Sequence, residues 1–204
     1  MRVLLLSPYP EGLLPALEAF CDEYVISTLP ISPEYCSDEG FDFLVSYGYR
    51  HILTEDVLSR FPGKAVNLHI SLLPSCRGAH PVFWSILEGK TLGVTIHMLD
   101  LGLDTGNILF QQVTPLQLEA GESFATLYKK QCKSIELLFN NNWKYLRTGE
   151  CSGWVQQGFP SVHRSRELDN WLIYMPQKWD TTISNFCRLS STNHPLAPNY
   201  CSES

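Results

Sequence analysis

The stretch "RVLLLSPYPEGLLPALEAFCDEYVIST", Arg2 to Thr28, decides the fold. Its first part, Arg2 to Ser7, is a continuous apolar run bounded by a turn, the pattern of a strand covered on both faces in a parallel sheet. Leu13 or Leu14, Leu17 and Phe20 then recur at helical spacing, and "YVIST" returns to strand-forming residues. Strand, helix and strand in that order predict a βαβ unit and, with it, an α/β fold built on a mostly parallel sheet.

Working outward, "FDFLVSYGY" (Phe41 to Tyr49) reads as a further strand. "TEDVLSRF" follows as a helix with Thr54 as N-cap and acidic residues in its first turn. "KAVNLHI" is the next strand. "PVFWSILEG" (Pro81 to Gly89) is a short helix with Pro in the first turn and Gly just past the end. "LGVTIHMLD" and "GNILFQQVTP" are two strands rich in β-branched and apolar residues, joined by the loop "LGLDTG". A long amphipathic helix runs from "ESFATLYKK" to Gly149, with Phe124, Leu127, Tyr128, Ile135, Leu138 and Trp143 on its apolar side. The pattern changes after Gly149, so residues 1–149 are expected to form the main domain and 150–204 a small C-terminal extension ending in a loose polar tail.

Composition bounds the function. A chain of 204 residues that is 44% hydrophobic can bury one sizeable core. The net charge is -6 and the 15 Lys and Arg are scattered, so no basic stripe for nucleic acid is present and a small or nucleotide-sized substrate is expected. The seven cysteines are odd in number, widely spaced and free of any CxxC pair, which argues against a disulfide framework and against a zinc site. "MRVLLLSPYPEG" is too short for a signal sequence and no run approaches the length of a membrane span, so a soluble, cytoplasmic protein is expected, with no membrane partner.

The chemistry gathers around "NLHISLLPSCRGAHP", Asn67 to Pro81. Strand side chains alternate, so Asn67 and His69 project to one face and Val66, Leu68 and Ile70 to the other. Asp104 lies in "DLGLDTG", where Gly102 and Gly106 permit tight turns and close approach. Taken singly, each of the three fits a capped turn or a satisfied core histidine. Together they can converge from two neighbouring strand ends.

The run from Asn67 to Gln111 resembles the 10-formyltetrahydrofolate-dependent formyltransferases, matching NxHxSLLPxxRG, then GVTIH, then DxGLDTG. "VSYGYRHILTEDVL" upstream supports the likeness, which covers about residues 1 to 150. The resemblance implies a Rossmann-like, twisted, mostly parallel sheet flanked by helices, a folate formyl donor and no metal. It implies that Asn67, His69 and Asp104 are catalytic. Formyl transfer to an amine passes through a tetrahedral intermediate bearing an oxyanion, which the Asn67 amide and a protonated His69 would stabilise. The attacking amine loses a proton and the folate nitrogen regains one, traffic suited to histidine near pH 7, with Asp104 orienting the ring. By position, Tyr49, Arg50, His51, Ile52 and Leu53 would line one wall of the donor pocket and Leu99, Asp100, Leu101 and Gly102 the other. Ile52 and Leu53 fit ordinary core packing equally well.

Within that family the acceptor is the open choice. Glycinamide ribonucleotide transformylases carry a Gly- and Ser-rich phosphate turn after the first strand, where this chain has "SPYPEGLLP", with prolines that remove backbone donors. Methionyl-tRNA formyltransferases need a basic C-terminal barrel, for which this chain is short and acidic. "RGAHPVFWSI" with Trp84, "GVTIHMLD" with His97 and the tail "HRSRELDNW" look more like the sugar N-formyltransferases, which act on nucleotide-linked amino deoxysugars for surface glycans. Tyr9, Arg77 and Trp84 are the candidate acceptor contacts, with Trp84 fitting a core anchor equally well. A formyltetrahydrofolate hydrolase, using the same trio with water as acceptor, and a catalytically silent folate-binding protein remain alternatives. Apolar residues in "SGWVQQGF" suit either a homodimer or a hairpin packed on the main domain.

Overall fold

Val3, Leu4, Leu5 and Leu6 are all fully buried, because helices cover both faces of the strand that carries them. The computed structural model describes residues 1–115 and 121–191. In chain order these form β1 (Arg2–Leu6), α1 (Leu14–Ala19), β2 (Glu23–Ser27), α2 (Pro33–Glu39), β3 (Phe43–Tyr47), α3 (Glu55–Leu58), β4 (Ala65–His69), β5 (Arg77–Gly78), α4 (Pro81–Leu87), β6 (Gly93–Met98), β7 (Ile108–Val113), α5 (Phe124–Thr148), β8 (Val162–His163) and α6 (Ile183–Ser191), with 3-10 turns at Pro10–Gly12, Ser165–Tyr174 and Lys178–Asp180.

The main sheet has the order β2-β1-β3-β4-β6-β7. β2, β1, β3 and β4 are parallel, whereas β6 runs antiparallel to β4 and β7 antiparallel to β6. The expected mostly parallel α/β sheet is therefore present. Its antiparallel half brings the loop after β6 back across β4.

Alternation along the strands separates two cores. Val3, Leu5, Val45, Val66, Leu68, Val94 and Ile96 face α5 and the main core, while Leu4, Leu6, Leu44 and Ala65 join Cys36, Val57 and Phe61 of α2, α3 and their flanks. The long helix α5 begins at Ser123, whose side chain accepts the Thr126 N–H, and stops at Gly149 in the left-handed region (φ 73°). Tyr128 is the member of its expected apolar side that stays 40% exposed. Its hydroxyl pairs with that of Tyr9.

Two helices add to those expected from the sequence. The sequence marks α2 through its punctuation: Ser32 caps it, Pro33 opens it and Gly40 (φ 64°) closes it. The second, α6, buries Ile183, Phe186 and Cys187. Residues after Gly149 share the main core, since Leu168, Trp171, Met175 and Phe186 pack with Phe83 and Phe124. The polar tail expected at the end of the chain, 192–204, lies outside the described residues. Among the described residues no helix is long and apolar enough to cross a membrane.

Asp22 ties α5 to the start of β2. Its carboxylate accepts the indole N–H of fully buried Trp143 at 2.9 Å and two Arg147 N–H groups at 3.1 and 2.7 Å. Replacing Asp22 by Ala strands the Trp143 N–H in the core and removes the Arg147 partner, which is expected to cost about 2 to 4 kcal/mol in urea unfolding.

Candidate active site

Residues paired across strands project to the same face, so the register can be read as rows. One row of the second face is Leu4, Leu44 and Ala65, wholly apolar; the next is Leu6, Ser46, Asn67 and His97. His69 and Thr95 form the row after that. The second apolar core thus gives way, on β4 and β6, to a polar island.

The loop after β6 folds over this island and sets Asp104 on it. Asp104 Oδ1 accepts the Asn67 amide N–H at 3.1 Å and lies 3.4 Å from His97 Nε2. Its Oδ2 accepts the Gly78 N–H at 2.8 Å and lies 3.5 Å from His69 Nδ1. Asn67 Nδ2 also lies 3.2 Å from His97 Nε2, and His97 Nδ1 lies 2.8 Å from the Met98 carbonyl, which calls for a hydrogen on Nδ1. Burial pushes the Asp104 carboxyl pKa up, but the His69 and His97 imidazoles and the Gly78 N–H outweigh it and hold the group well below the usual carboxylate range.

His69 is the buried counterpart of that carboxylate. Burial is the largest influence on its imidazole and pushes the pKa below the ordinary 6.5; Asp104 opposes the fall without reversing it. The resting ring is therefore neutral near pH 7. Nε2 lies 3.0 Å from the Cys76 carbonyl, so both ring nitrogens face acceptors. A neutral ring donates to one of them; an added proton would serve both.

Two sets of contacts fix the surrounding backbone. Thr95 Oγ1 donates to the Ser71 carbonyl and accepts the Leu73 N–H, while Gln111 Nε2 donates to both Leu73 O and Thr95 Oγ1. These pin the "SLLP" turn. On the other side β5 pairs with β8, Arg77 with Val162 and Gly78 with His163. Gly78 sits at φ 87°, and a Cβ there would lie 2.3 Å from the His163 carbonyl oxygen, so only glycine allows both the strand pair and the bond to Asp104. Gly106 is similarly constrained, since its Cβ would meet Met98 O at 1.9 Å.

The structure brings Asn67, His69 and Asp104 together and adds His97, which motif reading used only to mark a subfamily. The signal was there in the alternation of Thr95 and His97. What the sequence lacked was the antiparallel register that sets His97 beside Asn67. Of the expected donor-pocket residues, Tyr49, Leu53 and Leu99 pack on the second core, so the loops after β3 and β6 border a common wall. Tyr49 donates its hydroxyl to Leu29 O and its ring meets that of His51. Asp100 accepts from Gly102 N and Thr105 Oγ1, shaping the second loop. Arg50 is exposed. Ile52 and Leu101 are 93% and 65% exposed, so Ile52 is not a core residue.

The candidate acceptor residues separate. Tyr9 packs edge-on against Tyr47 and lies over Gly48, whose lack of a side chain makes room for the phenol. Arg77 gives two N–H groups to Gln156 Oε1. Trp84 is buried, with its ring stacked on that of His163 at 3.9 Å; His163 in turn meets Glu88 and Glu167. The structure therefore places Trp84 in the core of α4 rather than on the polar island. Trp154, Val155 and Phe159 of "SGWVQQGF" are exposed, and Trp154 exchanges backbone hydrogen bonds with Ile108. Among the described residues no group of three or more His, Cys, Asp or Glu has the geometry to hold a metal ion.

A family model described as formyl transferase matches residues 33–136. The solved formyltransferase PseJ from Anoxybacillus kamchatkensis, in complex with UDP-4,6-dideoxy-4-formamido-L-AltNAc and tetrahydrofolate, is 35% identical, with a TM-score of 0.85 over 91% of this chain and 97% of that one. The bifunctional polymyxin resistance protein ArnA of Wigglesworthia glossinidia brevipalpis is 38% identical over 108 residues, 52% of this chain and 16% of the relative. The methionyl-tRNA formyltransferase of Anaeromyxobacter dehalogenans (strain 2CP-C) is 46% identical over 87 residues, 42% of this chain and 27% of the relative. This chain thus spans less than a third of the length of those two curated relatives. The family match across the polar island, joined to the likeness running nearly the whole length of a solved formyltransferase, makes this chain a member of the formyl transferase family.

Proposed function

We propose that this protein transfers a formyl group from N10 of 10-formyltetrahydrofolate to the amine of a nucleotide-linked amino deoxysugar, a step that supplies surface glycans. The observation that carries the reading is the 35% identity along 97% of a formyltransferase whose structure holds a UDP-linked formamido sugar and tetrahydrofolate. The matches to ArnA and to the tRNA enzyme are confined to 108 and 87 residues, about half of this chain or less.

In this reading the amine nitrogen attacks the formyl carbon, and the carbonyl electron pair moves to oxygen. The Asn67 N–H that now meets His97 turns to this oxyanion, while its other N–H keeps the amide anchored on Asp104. The His69–Asp104 pair takes the proton that the amine sheds. Protonation lets His69 donate at once to Cys76 O and Asp104, so the transient imidazolium is held from both sides. The oxyanion then re-forms the carbonyl, the bond to folate N10 breaks and the pair returns the proton to that nitrogen. The exposed apolar side chains Ile52 and Leu101, with Tyr49, Arg50, His51, Leu53, Leu99, Asp100 and Gly102, form the walls for the folate ring. Tyr9, in the loop after β1, is the half-buried candidate acceptor contact over Gly48; Arg77 lies beside the polar island.

Purified protein given 10-formyltetrahydrofolate should consume it only when a UDP-, dTDP- or GDP-linked 4-amino sugar is added; consumption without sugar would indicate hydrolysis instead. Asn67→Ala and His69→Ala are each expected to lower kcat by about 100-fold or more in protein that still folds, and near wild-type turnover in His69→Ala would contradict the mechanism. Because His69 must start neutral and its pKa lies below 6.5, kcat should hold from pH 7 down past 6.5 and fall only at more acid pH, as the ring protonates. An acid limb centred above pH 7 would contradict this.

A further inference from the structure

From the segment after α5, the Gln156 side chain reaches the catalytic loop. Its Nε2 donates to the Asp104 carbonyl at 2.8 Å and to the Gly106 carbonyl at 2.8 Å. Its Oε1 accepts from Arg77 Nε at 3.2 Å and Arg77 Nη2 at 2.6 Å. Both amide hydrogens and the carbonyl oxygen are thus committed, and the side chain is only half-buried, so nothing about core packing requires this residue type. Asp100 shapes this loop from within by accepting from Gly102 N and Thr105 Oγ1, while the Asp104 and Gly106 carbonyls go to Gln156. Asp104 lies at φ 52°, in the left-handed region that few non-glycine residues adopt. Gly106 closes against Met98 O at a distance no side chain would permit.

We infer that Gln156 is a positioning residue for the reaction: by clamping the carbonyls on either side of Thr105, it holds the Asp104 backbone in the one conformation that aims the carboxylate between Asn67 and His69. Arg77 completes the device. It follows Cys76, whose carbonyl faces His69, and precedes Gly78, whose N–H binds Asp104 Oδ2, so the Gln156–Arg77 pair joins the carbonyl end and the carboxylate end of the same aspartate. The segment beyond Gly149 then serves the chemistry itself and not only the core. This inference rests on the reading of Asn67, His69 and Asp104 as the reacting residues.

Two variants and two kinds of readout test it. Gln156→Met keeps the length of the side chain and loses every hydrogen bond. Gln156→Glu keeps the acceptor for Arg77 but turns the donor end against the two carbonyls. Both are expected to lower kcat at least about tenfold, the scale of a small misplacement of a reacting group, with KM for the folate donor changed by less than about threefold. In Gln156→Met the His69 imidazole, followed by NMR of its ring carbons, should titrate at lower pH than in wild type. The groups facing that ring are Asp104, His97 and Arg77, and Asp104 is the one that favours the protonated form. Wild-type kcat in Gln156→Glu, or an unmoved His69 titration in Gln156→Met, would overturn the inference, as would a lowered melting temperature with kcat per folded molecule unchanged. Should the wild-type protein formylate no amino sugar, the proposed function fails, and the His69 titration still decides the role of Gln156.

Discussion

The interaction on which the site depends is the burial of the Asp104 carboxylate against two imidazoles, an amide and a backbone N–H. A carboxylate taken out of water is costly unless each oxygen finds donors, and here each oxygen accepts one hydrogen bond and faces one imidazole. That requirement reaches far along the chain. It explains why β4 carries Asn67 and His69 on one face and why β6 carries His97 opposite Asn67. It also explains why β5 ends in a glycine and why a segment past residue 150 returns to grip the loop.

The same constraint is met where the sheet changes direction. Antiparallel pairing sets the end of β6 beside the start of β4, where the Leu99 N–H donates to Ala65 O. Antiparallel pairing pairs His97 with Asn67 and sends residues 99–107 back across the strand, where Asp104 can reach both polar rows. The apolar rows below, Leu4, Leu44 and Ala65, anchor these strands, so the polar island sits on a rigid floor. His69 works against that floor: burial keeps it neutral, while the acceptors on both sides make it ready to take a proton.

Much of this was legible in the sequence, for identifiable reasons. Period-2 alternation put Asn67 and His69 on one face, and the apolar run of β1 with the βαβ opening gave the sheet class. The likeness of "NLHISLLPSCRG" and "DLGLDTG" to formyltransferase motifs tied Asp104 to that pair. His97 and Gln156 were hidden because their roles depend on strand direction and on a contact between residues 50 positions apart, neither of which leaves a local pattern. Trp84 looked like a recognition residue because an aromatic after Pro81 is ambiguous; its stacking on His163 depends on the β5–β8 pair, a parallel match of two short segments far apart in sequence. The helix α2 was missed because its signal is capping chemistry at Ser32, Pro33 and Gly40 rather than a repeating apolar face.

The account's central claim is that a buried, ionised Asp104 organises an amine-formylating site, and the most direct measurement is the mass of the sugar product formed by wild-type protein and by Asp104→Asn. Incubated with 10-formyltetrahydrofolate and a UDP-linked 4-amino sugar, the wild-type protein is predicted to yield the N-formyl sugar and tetrahydrofolate in equal amounts. The Asp104→Asn protein, which keeps the shape of the side chain but not its charge, is predicted to yield neither at a comparable rate. Formyl sugar produced at wild-type rate by Asp104→Asn, or folate turnover without formyl sugar in the wild type, would contradict it.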